Sequence, residues 1–198
     1  MGLAARPVVV GPYTFLRLAK PAEAGVDPLA HLDALLPLYA DLVGQLTAAG
    51  AAGVQIDEPA LGLDPTDAER AAARRAVEHL AGTGAAITLA TYFTGVQSEL
   101  EWLLALPLHR VHLDLVRAPA QLDAALSHDI AAGGLSLGLV DGRNVWRTDL
   151  DAALAPARRA AEALGPERVT VAASCSLLHV PYNAAREEHL DAEVRSWL

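Results

Sequence analysis

Gly53-Val54-Gln55-Ile56-Asp57-Glu58-Pro59-Ala60 is a short apolar run that stops at two carboxylates and a proline. Pro59 has no N–H to give to a sheet ladder, so a β-strand ends there. Asp57 and Glu58 then stand at the carboxyl edge of the sheet that holds the strand. In parallel α/β architectures that edge carries the chemistry. Neighbouring strand residues point to opposite faces, so at most one of the two carboxylates is expected to look into a barrel mouth.

The same order of apolar run, polar residues and helix recurs outward in both directions. Val8-Val9-Val10 reads as a buried strand closed by Gly11-Pro12-Tyr13-Thr14. Leu29, Leu32, Leu35, Leu36, Tyr39, Leu42, Val43 and Leu46 follow helical spacing. Thr66 with Glu69 forms a capping box that predicts a helix to about Leu80, and Gly82 and Gly84 stop it. Further strands are expected at Ile87–Ala90, Val111–Leu113, Leu135–Val140 and Val169–Ala173. Between them, Ser98 and Glu101 suggest a second capping box, Pro119 a helix start carrying Leu122, Leu126 and Ile130, and Thr148 a cap for a helix ended by Gly165-Pro166. A last helix is expected from near Asn183 to Trp197.

Six strands alternating with helices about 30 residues apart predict right-handed βαβ crossovers and one parallel sheet. No G-x-G-x-x-G and no P-loop follows any strand, which weakens a nucleotide-binding doubly wound sheet. The polar strand ends favour a (β/α)8 TIM-barrel type of α/β fold. A full barrel needs about 250 residues. With 198 residues, the chain is expected to be a single, incomplete barrel domain of about six βα units, two units short.

Composition narrows the function. A net charge of −9 argues against a nucleic-acid surface. The apolar runs fall far short of the ~18 residues that span a bilayer, so no membrane partner is expected. Met1 to Pro7 has no apolar core of a signal peptide. The one cysteine excludes an internal disulfide and fits a reducing cytosol, so a cytoplasmic location is expected.

Six stretches in order carry a resemblance: Gly11-Pro-Tyr-Thr-Phe-Leu16, Val54-Gln-Ile-Asp-Glu-Pro-Ala-Leu61, Ala90-Thr-Tyr-Phe93, His112-Leu-Asp-Leu-Val-Arg117, Val140-Asp-Gly-Arg-Asn-Val-Trp146 and Ser174-Cys-Ser-Leu-Leu-His-Val-Pro181. Together they closely resemble the later part of the N-terminal domain of cobalamin-independent methionine synthase. That family transfers a methyl group from methyltetrahydrofolate triglutamate to homocysteine through two face-to-face barrels. The resemblance runs from about Pro7 to Leu198 and implies a fragment or a shortened paralogue. In the family's catalytic barrel, zinc is held by a His-x-Cys pair, a Glu and a second Cys on successive strand ends. Aligned by motif, Asp114 stands in place of the Glu and Cys175 in place of the second Cys, while Thr91, Tyr92 and Phe93 supply no ligand. Catalytic zinc needs three protein ligands and an open position, so neither zinc nor any other cofactor is expected in this chain.

The residues leave several roles open. Asp57 and Glu58 are candidates for an acid/base pair or a substrate-amine clamp. The simpler reading is a structural carboxylate paired with Arg143 or Arg117. Asp141, Arg143 and Asn144 form the most polar strand end, suited to an anion such as a glutamate tail or to an ion-paired loop. His179 is a candidate general acid or a hydrogen-bonded rim histidine. His112 alternates within its strand and shows no partner. Tyr13, Trp146 and Tyr182 are candidates for stacking on a pterin, or for packing the rim. Cys175 reads as a small buried hydrophobe. The expected role is a non-catalytic scaffold or folate-docking surface beside a catalytic-barrel partner; the alternatives are an independent small-molecule enzyme, a binding module or an inert paralogue. Open sheet edges at the Val8 and Val169 strands predict a homo-oligomer or swapped dimer.

Overall fold

The structure is a computed structural model that describes residues 5–21, 23–183 and 186–198. Its elements run β1 (Val8–Val10), α1 (Pro12–Arg17), α2 (Leu32–Ala48), β2 (Val54–Asp57), α3 (Asp67–Ala81), β3 (Ile87–Ala90), α4 (Leu100–Leu104), β4 (Arg110–Asp114), α5 (Gln121–Leu126), β5 (Leu135–Val140), α6 (Leu150–Leu164), β6 (Val169–Ala173) and α7 (Ala192–Trp197). All six strands pair in parallel in the order β1-β2-β3-β4-β5-β6. Strand order that never reverses is the order of a barrel wall; a doubly wound sheet turns back at a switch point.

Register separates two faces. Val9, Ile56, Leu89, Val111, Leu135 and Val169 stand level across the sheet. This aliphatic row joins Leu36, Val43, Val77, Leu80, Leu103 and Leu122 of the helices in one hydrophobic core. Val10, Asp57, Ala90, His112, Ser136 and Thr170 form the level row of opposite parity. Side chains alternate along each strand, so this second row faces away from the helices, into the barrel interior.

Local signals explain most boundaries. The Thr66 capping box is formed in both directions, Glu69 N–H to Thr66 Oγ1 and Thr66 N–H to Glu69 Oε2. The expected Ser98–Glu101 box is not formed. Ser98 Oγ bonds Glu99 Oε1 instead, because the buried Glu99 carboxylate is already fixed by Trp102 Nε1 and Arg70. Asp149, not Thr148, caps α6 by accepting from Ala152 N–H at 3.0 Å. Helix α5 ends at Leu126, before Ile130, and α7 starts at Ala192 behind an Asp191 cap; Ala184 and Ala185 of the longer helix expected there lie outside the described residues. Gly11-Pro12-Tyr13-Thr14, which closes the first strand, also opens helix α1.

That helix is held by Glu58. The Glu58 side chain is fully buried and accepts from the backbone N–H groups of Tyr13 (3.1 Å) and Thr14 (2.7 Å). Thr14 Oγ1 in turn accepts from Ala60 N–H at 3.2 Å. A Cβ on Gly11 would overlap Cγ, Cδ and Oε1 of Glu58, so only glycine lets the β1–α1 turn close over the carboxylate. Tyr39 of α2 adds a hydroxyl bond of 2.7 Å to the Val10 carbonyl. Gly11→Ala should cost about 1–3 kcal/mol by overpacking, read as a lower urea midpoint. The cost should shrink in a Glu58→Ala background, where the two sites no longer meet.

Burial pushes the Glu58 carboxyl up to about 7, against the pull of the Thr14 and Tyr13 hydrogen bonds. From about 4.5 to about 7 the folded protein keeps a proton on Glu58 that the unfolded chain has released, so stability falls as pH rises through that window. The loss should reach about 3 kcal/mol above the upper value. Urea unfolding at both ends of the window should show this decline in the wild type and a shallower one in Glu58→Gln. Equal slopes would remove Glu58 as its source.

Candidate functional site

The inner face meets a cavity of about 520 Å³ lined by Gln55, Asp57, Tyr92, His112, Ser136 and Cys175 among others. Asp57, the last residue of β2, turns inward as Glu58 turns outward. Its Oδ1 accepts from Gln55 Nε2 at 2.8 Å and its Oδ2 from the Tyr92 hydroxyl at 3.0 Å. Burial foremost, and then the Asp57 charge, push the Tyr92 hydroxyl well above its ordinary range, so it remains a donor.

His112 on β4 is buried, with Nδ1 3.0 Å from Ser136 Oγ and Nε2 3.2 Å from the Ser174 carbonyl oxygen. A carbonyl only accepts, so Nε2 carries the proton and Nδ1 accepts from the Ser136 hydroxyl. Burial lowers the His112 pKa and keeps the ring neutral. The missing partner expected for His112 is therefore two partners, from β5 and from the end of β6. The Cys175 thiol is raised by burial foremost and lies 3.6 Å from the Ser176 carbonyl.

The other strand ends use their carboxylates on backbone. Asp114 is 1% exposed; its Oδ2 accepts from Phe93 N–H at 3.0 Å, and its Oδ1 from Val116 N–H at 3.1 Å and Arg117 N–H at 2.9 Å. Phe93 is held at φ +76°, a left-handed conformation unusual for a bulky side chain. Asp141 accepts from Arg143 N–H (2.8 Å) and Asn144 Nδ2 (2.9 Å), and Arg117 Nη2 approaches it at 3.4 Å. The Arg143 guanidinium lies over the Phe93 ring, 5.1 Å from its centroid. Trp146 is half exposed and packs edge-on against Trp197 at 6.1 Å.

These positions revise several expectations. Tyr13 is 1% exposed in the core and offers no stacking surface, because Glu58 draws the start of α1 under the sheet edge. Glu58 is sealed on the outer face and cannot share a proton relay at the mouth with Asp57. Neither carboxylate pairs with Arg143 or Arg117; those arginines go to Phe93 and Asp141. The side chain of His179 lies outside the described residues. Gln55, His112 and Ser136 join the site without a motif to single them out, although their even spacing with Asp57, Asp114 and Gly138 marks one face of three strands.

The residues present do not suit zinc. Both Asp114 oxygens are taken by backbone N–H groups, and Cys175 is the one thiol of the sequence, with Sγ 3.6 Å from the Ser176 carbonyl. Among the described residues no group of three or more His, Cys, Asp or Glu side chains is placed to hold a metal ion.

Comparison with known proteins agrees with this geometry. The family model described as cobalamin-independent synthase, N-terminal domain, matches residues 1–165. A 5-methyltetrahydropteroyltriglutamate–homocysteine methyltransferase from Acidiphilium cryptum is 53% identical over 195 residues, 98% of this chain and 25% of its own length. One from Parvibaculum lavamentivorans is 48% identical over 201 residues, 100% of this chain and 26% of its own. The chain thus spans about a quarter of the length of these relatives. A B12-independent methionine synthase from Shewanella sp. W3-18-1, in complex with selenomethionine, superposes with a TM-score of 0.66 over 88% of this chain and 56% of that one, at 14% identity, and so shares its fold. From its first β-strand to the helix that precedes the sixth, the chain belongs to the cobalamin-independent methionine synthase family and corresponds to part of its N-terminal domain.

Proposed function

We propose that this chain is a non-catalytic barrel portion that supports methyl transfer from 5-methyltetrahydropteroyltriglutamate to homocysteine, forming methionine. The observation that carries this reading is the near-half identity to methyltransferases across the whole chain, combined with strand-end carboxylates committed to backbone. A group that activates a thiol needs open metal positions or a free base, and Asp114 offers neither. Zinc and thiol activation are assigned to a catalytic-barrel partner outside this chain. The contribution of this chain is docking of the folate tail at the β5 end. There Arg143 has no carboxylate partner among the described residues, and Asn144, Trp146 and Arg147 border a rim cavity of about 380 Å³ with Asp141.

The working location assigned by this reading is the cytosol. No described helix is long and apolar enough to cross a membrane. A homo-oligomer or swapped assembly is part of the same proposal. The outer edges of β1 and β6 have no partner strand among the described residues, and Val8, Val10 and Val171 are 57%, 48% and 58% exposed. Unpaired parallel edges of this kind are templates for association.

Purified chain given homocysteine, methyltetrahydrofolate triglutamate and zinc should form no methionine, yet should bind the triglutamate. Arg143→Ala should weaken that binding about tenfold, the equivalent of one charge-assisted contact of about 1.4 kcal/mol. Turnover by the chain alone would overturn the non-catalytic assignment, and unchanged binding by Arg143→Ala would move the docking surface elsewhere. Light scattering should give a mass of at least two chains. A monodisperse monomer would rule out the assembly.

A further inference from the structure

We propose that the polar interior of the sheet is a binding site for a small organic ammonium compound, with Asp57 as its counter-ion. The interior of a barrel of this type is ordinarily filled by layers of bulky branched side chains. Here the level row across the sheet is Val10, Asp57, Ala90, His112, Ser136 and Thr170, with one branched aliphatic at its edge, and a cavity of about 520 Å³ remains against it. That volume is within the usual range for small-molecule sites, about 300–1,000 Å³.

The hydrogen-bond inventory selects the ligand's charge. The Tyr92 hydroxyl donates to Asp57, the Ser136 hydroxyl to His112 Nδ1, and His112 Nε2–H to the Ser174 carbonyl. These protons are spent within the protein. Around Asp57, Tyr92 and Ser136 what remains is mainly lone pairs, on the Asp57 carboxylate, Tyr92 Oη and Ser136 Oγ, while the Arg6 donors line the cavity from ahead of β1. The Asp57 end, rich in acceptors, takes a ligand group that brings its own protons.

The charge points the same way. Asp57 is half-buried, its two partners Gln55 and Tyr92 are neutral, and it forms no ion pair among the described residues. A partly buried carboxylate without a cation is costly, and a bound ammonium group offsets that cost. An anion at this end would meet the Asp57 charge; Arg6, which also lines the cavity, precedes β1 and belongs to the opposite end of the strands. Thr88, on the same face as Gln55 and Asp57, is 2% exposed and its hydroxyl lacks a partner among the described residues, a further unsatisfied group on this side of the sheet. With one carboxylate and, among the described residues, no metal-ligating cluster, the polyatomic ammonium ion suits the cavity better than a bare metal ion.

The site does not depend on folate docking, which is assigned to the outer rim at β5. The test titrates the 198-residue chain with three probes of one size and different charge: ethanolamine hydrochloride, ethylene glycol and sodium glycolate at constant ionic strength. NMR should show saturable shifts at the His112 ring nitrogens and the Ser136 and Asp57 amides with ethanolamine. Its affinity should exceed that of ethylene glycol by about tenfold, with no saturable response to glycolate. Asp57→Asn, folded by circular dichroism, should lose the preference for the amine. Equal responses to all three probes, no saturable response to ethanolamine, or a preference that persists in Asp57→Asn would each overturn the proposal. Should Asp57→Asn fail to fold, the order of the three probes on the wild type decides the question alone. Failure of triglutamate binding would leave this result untouched.

Discussion

The carboxylate of Glu58 is the point at which the sheet, the first helix and the barrel mouth are tied together. It belongs to the residue after β2, yet it satisfies two N–H groups at the start of α1, which would otherwise be orphan donors in a buried place. The arrangement closes only because residue 11 has no Cβ. It draws Tyr13 and Leu16 into the core under α2, and it leaves the edge strand β1 covered on its outer side. The immediate neighbour, Asp57, is sent by strand alternation to the other face. One dipeptide therefore supplies both the anchor of the fold and the charge of its interior.

The two faces divide the energetic work. Outer positions such as Ile56, Leu89, Val111 and Leu135 are fully buried against helices, and each contributes roughly 1.5–3 kcal/mol relative to exposure. The inner face contributes hydrogen bonds of about 1 kcal/mol net apiece, with polar groups that must stay satisfied. Stability thus comes mainly from the layer between sheet and helices. The interior is free to hold polar residues that a filled barrel centre would exclude.

All six strands were legible because β-branched and leucine-rich runs end at Gly, Pro or carboxylates, and the structure puts a strand on each. The parity inside those runs was harder to read. Val54-Gln55-Ile56-Asp57, Val111-His112-Leu113-Asp114 and Leu135-Ser136-Leu137-Gly138 alternate, and reading polarity with the outer face toward helices would have grouped Gln55, Asp57, His112 and Ser136 in one interior. Capping signals succeeded where the side chain had no competitor, as at Thr66, and failed at Ser98, whose hydroxyl is taken by the buried Glu99. Tyr13 could not be placed from sequence, since its burial follows from a contact 45 residues away.

In the sequence, Asp57, Glu58, Asp114 and Asp141 look alike: each is a carboxylate at the end of an apolar run. The structure gives three of them to backbone N–H groups. Glu58 fixes α1, Asp114 fixes both the Phe93 and Val116–Arg117 loops, and Asp141 fixes its own turn. Such charge-assisted bonds offset the strain, about 1–3 kcal/mol, of a residue such as Phe93 held in the left-handed region. Asp57 differs, because both of its partners are side chains and neither is positively charged. A carboxylate that builds a loop has its lone pairs committed by the chain itself. Among these four, only Asp57 faces the cavity without such a commitment, so any chemistry of recognition inside this barrel has to begin with it.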